Sequence, residues 1–311
     1  MPLDKLLIIG STGLVGSKVA YMASEHGFEA CGTHNARKSP LPHSVQLNIT
    51  DRDATLRLVS NVHPRAIVNT AALHSVDYCE THRDEASSVN VEGVRNLGEA
   101  ARQNHSRLVH LSTDYVFDGK TGHYTELDDP HPLHFYAETK LKAEEVAARI
   151  PSYAIARPSV IYGWNPLEAT ATPSSSGKTI NFAVFVLEKL RKNEMVKAVS
   201  DQYSSPTFAD NLAEALLRLA KYPDNGVFHT AGRSCISRYE FAVKLAEIFE
   251  YPTRLVEPVH TSEFKQMAER PKNSCLRVDK AEKALGMKFL TADEGLAEMK
   301  KQGMSHDVSR P

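Results

Sequence analysis

The chain has 311 residues, enough for one large domain or two coupled ones around a sizeable core. Its 37 basic and 38 acidic residues nearly cancel, so no strong field draws it to nucleic acid or to an anionic membrane. Cys31, Cys79, Cys235 and Cys275 are far apart, with no CxxC pair or Cys/His cluster, which predicts buried free thiols in a reducing compartment and no metal site. Residues 6–9 are apolar but stop at Gly10, too short for a signal segment or a membrane span, so a soluble cytoplasmic protein is expected.

Residues 5–9 read as a parallel strand buried on both faces. The turn Gly10-Ser-Thr12-Gly13-Leu14-Val15-Gly16 follows, and then a helical period through Val15, Val19, Met22 and Ala23. Strand, glycine-rich turn and helix in that order suit a dinucleotide pyrophosphate, because glycines permit close backbone approach and the helix start offers free N–H groups. Residues 28–33 form the second strand. Its end, Gly32 to Lys38, carries Arg37 and Lys38 and no acid to hold a ribose 2′-hydroxyl, so NADP is favoured over NAD.

Residues 45–48 make a short third strand, and residues 51–61 a helix capped by Thr50 or Asp51. The run 64–72 is a fourth strand ending in small residues; residues 86–104 are helical, and residues 108–111 are a fifth strand delivering Ser112-Thr113-Asp114. Alternating strands and helices predict an α/β fold with a Rossmann-type doubly wound parallel sheet and a smaller C-terminal substrate-binding lobe. Ligands of such sheets lie outside the carboxyl ends of the strands, where Gly10, Ala72 and Thr113 would meet. A helix follows to about Ile150, then a sixth strand at 152–156. Residues 163–178 are a long aperiodic loop, either a binding loop or a plain insertion. Helices are expected at 180–192, at 210–221 with Asp210 as cap, around Phe241 to Phe249, at 279–285 and at 292–300. A returning strand lies at 226–231. The division is therefore 1–160 for the nucleotide domain with that strand added, 161–225 and 232–301 for the second lobe, and a flexible tail from 302.

Tyr136 and Lys140, four apart, share one helix face. A nearby ammonium would lower the phenol from its ordinary value near ~10 and let it exchange protons beside a carbonyl. Tyr136 would supply the proton, Thr113 would bind the substrate oxygen, and a reduced nicotinamide would supply hydride.

Gly10-x-x-Gly13-x-x-Gly16, Ser112-Thr113-Asp114-Tyr115-Val116-Phe117-Asp118-Gly119 and Tyr136-x-x-x-Lys140 resemble the extended short-chain dehydrogenase/reductase superfamily. Asn69-Thr-Ala-Ala72, Val89-Asn90-Val91, Asp201-Gln202-Tyr203 and Arg270-Pro271-x-Asn273-Ser274-x-Leu276 narrow the resemblance to the dTDP-4-dehydrorhamnose reductase family, over about residues 5–300. The resemblance implies Thr113, Tyr136 and Lys140 as catalytic, and Thr113, Asp114 and Tyr115 as facing the sugar. It implies cofactor contacts at Gly10, Gly13, Leu14, Val15, Asn48, Ile49, Ala72, Leu73, His74, Tyr136 and Lys140; Thr12, Asn35, Arg37 and Ala71 complete the expected set. NADP(H) is the implied cofactor, with NAD(H) also accepted, the substrate a nucleotide sugar, and the assembly a homodimer.

Related dehydratases place Glu after the Asp to eliminate water, a role Tyr115 cannot fill, so reduction is expected. The chain departs from the family pattern at Asn48, where many members have Asp, at Val160, where a Trp can line the sugar pocket, and in its longer 163–178 loop. The beta subunit of methionine adenosyltransferase, an NADP-binding regulatory protein, also resembles this chain and supplies the rival expectation.

Overall fold

The computed structural model describes residues 3–36, 41, 44–167 and 181–307, with side chains to 303. Arg37 and Lys38, and most of the 163–178 loop, lie outside the described residues.

β1 (Asp4–Ile9) shows how the sequence builds the layers. Side chains alternate across a strand. Leu6 and Ile8 enter one core with Val15 and Val19 of α1 (Leu14–Met22) and with Leu212 and Leu216 of the helix Ala209–Lys221. Leu7 and Ile9 enter the opposite core with Val59 of α2 (Arg52–Val62) and with Val94 and Leu97 of the helix Gly93–Gln103. A strand buried on both faces must be apolar throughout, which is why residues 6–9 show no polar alternation. Thr50 and Asp51 competed as cap of α2; Asp51 takes the role, accepting from the Ala54 N–H at 2.9 Å.

The sheet continues through β2 (Phe28–His34), β3 (Val45–Gln46), β4 (Ala66–Asn69), β5 (Arg107–Leu111) and β6 (Tyr153–Arg157). The returning strand Gly226–His229 pairs parallel to β6. The seven strands run in the order returning strand, β6, β5, β4, β1, β2, β3, all parallel. This is the expected doubly wound α/β architecture. Another core gathers Tyr162, Phe208, Phe241, Leu245 and Leu296 with the helices Phe182–Arg191, Arg238–Ile248 and Ala292–Asp307. Val196–Val199 and Val256–Val259 pair beside it as a small parallel ladder.

Several expectations need correction. Residues 86–104 are not one helix: Arg83–Ser87 passes through a π-helical turn, Ser88–Glu92, into Gly93–Gln103. Asp210 is not the cap of its helix but lies in the first turn, where its carboxylate takes Lys18 Nζ at 3.0 Å and Gln302 Nε2 at 3.0 Å. The last helix runs from Ala292 to Asp307. Cys31 and Cys79 stand outside any disulfide; Cys235 and Cys275 are joined by one across 40 residues, with Cα atoms 5.4 Å apart. Spacing along the chain carries no trace of that proximity, which the fold creates.

Candidate functional site

The first half of the site is local. β1 ends at Gly10 with φ of +82°, a conformation in which L side chains are strained, and Gly13 caps α1 with no side-chain bond to its first amides. A side chain at Gly16 would overlap Gly10 O and Thr70 Oγ1, so this glycine lets α1 pack onto β1. Among the described residues, an added Cβ at Gly13 would meet only Gly10 O, at 3.4 Å, leaving space before the helix start. Leu14 and Val15 form the first turn of α1, and Thr12 O accepts from Asn165 Nδ2 at 3.4 Å.

The neighbouring strand ends contribute less uniformly. Asn35 follows β2, and Gln46 Nε2 donates to its carbonyl at 3.1 Å. Asn48 is exposed and its side chain accepts from the Thr50 N–H. Ile49 is a core residue against Gly93. Ala71, Ala72 and Leu73 follow β4, and His74 is exposed. Leu73 N–H donates to Asn90 Oδ1 at 2.8 Å, and Asn90 Nδ2 donates back to Leu73 O and to Thr139 Oγ1, both at 3.0 Å. The π-helical turn therefore holds the β4 end against the Tyr136 helix, Phe135–Ala147.

The second half is assembled from distant residues. Thr113, Tyr136 and Lys140 are all buried, at 8%, 8% and 1% exposure. Burial first and the Asp114 charge second push the Tyr136 phenol well above its ordinary range, against a smaller lowering from the Thr113 hydroxyl. The expected lowering by Lys140 is not seen. Lys140 Nζ turns to β5, donating to Leu111 O at 2.6 Å and lying 3.2 Å from His110 Nε2. Burial brings its amine down to about 8.

Asp114 is not presented as an open ligand. Its Oδ2 accepts from Ser159 Oγ at 2.7 Å and Ser274 Oγ at 2.6 Å, and its Oδ1 from Thr113 Oγ1 at 3.3 Å. It ties the end of β5 to two segments, 45 and 160 residues away. Val160, beside Ser159, sits at φ of +39°, an outlier for a β-branched residue. Thr207 holds it there, donating its N–H to Val160 O and its hydroxyl to Ser159 O. Sequence reading also missed Glu144 and Arg157, a buried bidentate pair at 2.9 and 2.6 Å that also receives the Ser112 hydroxyl. The one available signal was an acid four residues after Lys140, on the same helix face as Tyr136 and Lys140.

His134 caps the Tyr136 helix, its Nδ1 accepting from the Ala137 N–H. Its ring meets Tyr115 edge-on at 5.2 Å and lies 6.0 Å from Tyr136. Burial, and then the nearby Arg270 charge, bring it down to about 4, so it stays neutral. Arg270 pairs with Asp77 at 2.9 Å and borders a groove of about 360 Å³ lined by Gln202, Phe264, Gln266 and Lys272.

The model of the RmlD substrate binding domain matches residues 4–304. The chain belongs to that family. Among family relatives, it is 32% identical over 300 residues to the dTDP-4-dehydrorhamnose reductase of Aggregatibacter actinomycetemcomitans, covering 91% of this chain and 94% of that protein. It is 31% identical over 291 residues to methionine adenosyltransferase 2 subunit beta of Bos taurus, covering 91% and 83%. Among solved structures it resembles dTDP-4-dehydrorhamnose reductase from Bacillus anthracis in complex with NADP, with TM-score 0.84, 25% identity and coverage of 96% and 99%. The family thus includes both the reductase and the regulatory-subunit resemblance read from the motifs. Among the described residues, no helix is long and apolar enough to cross a membrane.

Proposed function

We propose that this protein is an NADPH-dependent oxidoreductase that reduces the 4-keto group of a nucleotide-activated deoxysugar, dTDP-4-dehydrorhamnose to dTDP-L-rhamnose. The observation that carries this reading is the joint burial of Thr113, Tyr136 and Lys140 beyond the end of β5, on the same sheet edge as the glycine turn after β1. The reductase of Aggregatibacter actinomycetemcomitans and the NADP complex of the Bacillus anthracis reductase support it.

The residues present fit a dinucleotide. The space before α1 and its uncapped amides suit a pyrophosphate, which Gly10, Thr12, Gly13, Leu14 and Val15 would hold. Asn35, Asn48 and Ile49 would flank the adenosine end, Ala71, Ala72, Leu73 and His74 the middle, and Lys140 the nicotinamide ribose. NADP(H) is the preferred cofactor, with NAD(H) also accepted; when bound, it supplies hydride to the carbonyl carbon. Thr113 donates a hydrogen bond to the carbonyl oxygen and orients it. Tyr136, kept protonated by burial and by Asp114, carries its phenolic proton at neutral pH and would pass it to that oxygen as hydride arrives. Asp114 and Tyr115 shape the sugar side, Asp114 through the serines it binds. The Gln202–Lys272 groove offers an aromatic face, amides and cations to the nucleotide diphosphate. This reading places the protein in the cytoplasm, as a homodimer, with residues 161–225 and 232–301 as substrate lobe.

The test is NADPH consumption with a panel of nucleotide 4-keto-6-deoxysugars. Turnover of the dTDP sugar is expected. In the wild-type background, Tyr136→Phe should lose at least ~100-fold in rate, the scale of removed acid–base catalysis; near-wild-type turnover would sink the assignment. A second reading rests on the likeness to methionine adenosyltransferase 2 subunit beta: an NADP-binding regulatory subunit. NADP binding without turnover of any keto-sugar selects it.

A further inference from the structure

Behind Lys140 runs a hydrogen-bond chain that the proposed chemistry leaves unused. β4 and β5 are parallel neighbours, and their register sets Asn69 directly beside His110. Side chains alternate along each strand, so Asn69 follows Ile67, and His110 follows Leu108, onto the face covered by the helix Phe135–Ala147. Both are fully buried at 0% exposure and must find their partners inside the protein.

The polarity of the chain is set at its far end. Ala71 N–H donates to Asn69 Oδ1 at 3.1 Å, which turns the amide nitrogen toward the imidazole. Asn69 Nδ2 lies 3.2 Å from His110 Nδ1, and an amide nitrogen can only donate. His110 Nδ1 is therefore the acceptor, and the neutral ring carries its proton on Nε2. That N–H points at Lys140 Nζ, 3.2 Å away. A nitrogen that accepts a hydrogen bond needs a lone pair, which an amine has and an ammonium lacks. Lys140 can still donate an amine hydrogen to Leu111 O. An ammonium would set N–H against N–H at Nε2, or drive the ring to its other tautomer and set N–H against the Asn69 amide.

We infer that Asn69 and His110 are positioning residues that favour Lys140 as a neutral amine before cofactor arrives, so that NADP capture in alkaline solution draws a proton onto Lys140. This rests on the reading that the site takes NADP. The other groups facing Lys140 do not reverse the argument. Glu144, one turn along its own helix, favours the ammonium but is paired with Arg157. Tyr136, one turn before, is held protonated. Asp114, at the end of β5, is satisfied by Ser159 and Ser274. The amine, brought down to about 8 by burial, is already poised to change charge close to neutrality. Ribose hydroxyls, as acceptors, and the cofactor's phosphate charge would favour the ammonium.

The experiment is calorimetric titration of NADP+ into the full chain, in buffers of different ionisation enthalpy, to count protons taken up per cofactor bound. Uptake near zero is expected at about pH 6, rising toward one proton at about pH 9, where free and bound forms differ in charge. Lys140→Met should lose the uptake. Asn69→Asp keeps the acceptor for Ala71 N–H but also accepts from His110 Nδ1–H, freeing Nε2 for an ammonium; it should bind NADP+ with the uptake lost. Wild-type protein that binds NADP+ at about pH 9 without taking up protons overturns the inference, and so does Lys140→Met or Asn69→Asp matching the wild-type count. The wild-type titration decides even if a variant fails to fold. No NADP+ binding at any pH removes the cofactor reading itself, and the inference falls with it.

Discussion

The two halves of the site are built on different principles. The glycine turn is made by seven consecutive residues, and its conformation follows chiefly from Gly10, Gly13 and Gly16, with Thr33 and Thr70 of the neighbouring strand ends bonded to it. The Tyr136 half draws on β4, β5, β6, one helix and two distant loops, through Asn69, His110, Asp114, Glu144, Arg157, Ser159 and Ser274. The local half relies on backbone shape and the absence of side chains. The assembled half relies on buried polar groups that satisfy one another, where losing one strands its partner. Damage should therefore spread further from the second half than from the first.

The largest effect expected is at the Glu144–Arg157 pair. Both side chains are nearly excluded from water, at 5% and 4% exposure. Arg157→Met leaves Glu144 a buried charge and should destabilise by about 3–5 kcal/mol, while adding Glu144→Leu should recover most of it. Denaturant unfolding of the single and double variants checks this. A double variant no better than the single would show that the pair does not act as a unit.

Next comes the pH dependence of burying Lys140. Its folded value, about 8, lies below the ordinary 10.5, so the unfolded chain binds the extra proton between these values. Stability from this group therefore rises with pH from about 8 to 10.5 and is lowest below about 8. By the linkage conversion the penalty is on the order of 3 kcal/mol. Lys140→Met should thus gain stability relative to wild type at neutral pH, with the advantage shrinking as pH rises through that window. A difference independent of pH would refute the depressed value.

The local half should respond less. Gly16→Ala forces a methyl against Gly10 O and Thr70 Oγ1 and should destabilise by about 1–3 kcal/mol, with weaker NADP binding, since the turn must shift. Thermal unfolding with and without cofactor measures both; unchanged affinity would separate the packing of α1 from the pyrophosphate site. Asp51→Ala, a cap removed from the site, should cost about 1 kcal/mol and leave cofactor affinity unchanged.

The legibility of the sequence follows the same divide. β1, α1 and the turn between them could be read because periodicity and glycine spacing are properties of neighbouring residues. Tyr136 and Lys140 could be paired because four residues is one helical turn. The direction of Lys140 Nζ could not, since it depends on which carbonyl and which imidazole β5 brings beneath the helix. Asp114 read as a sugar ligand from its motif; that its Oδ2 accepts from Ser159 and Ser274 could not be read, since both come from distant segments. The π-helical turn at Ser88–Glu92 escaped, as did the side-chain bonds of its Asn90 to Leu73 and Thr139, which lie far away in the chain. Cys235 and Cys275 read as free thiols for the same reason.

The sequence by itself determined the layered α/β plan, the place of the nucleotide turn and the Tyr136–Lys140 helix face, because these rest on local periodicity and backbone sterics. The tertiary structure decided the charge environment: which buried acid meets which hydroxyl, which cysteines join, and how Asn69 and His110 meet Lys140. Those outcomes turn on distances of about 3 Å between groups far apart in the chain. Only folding sets them.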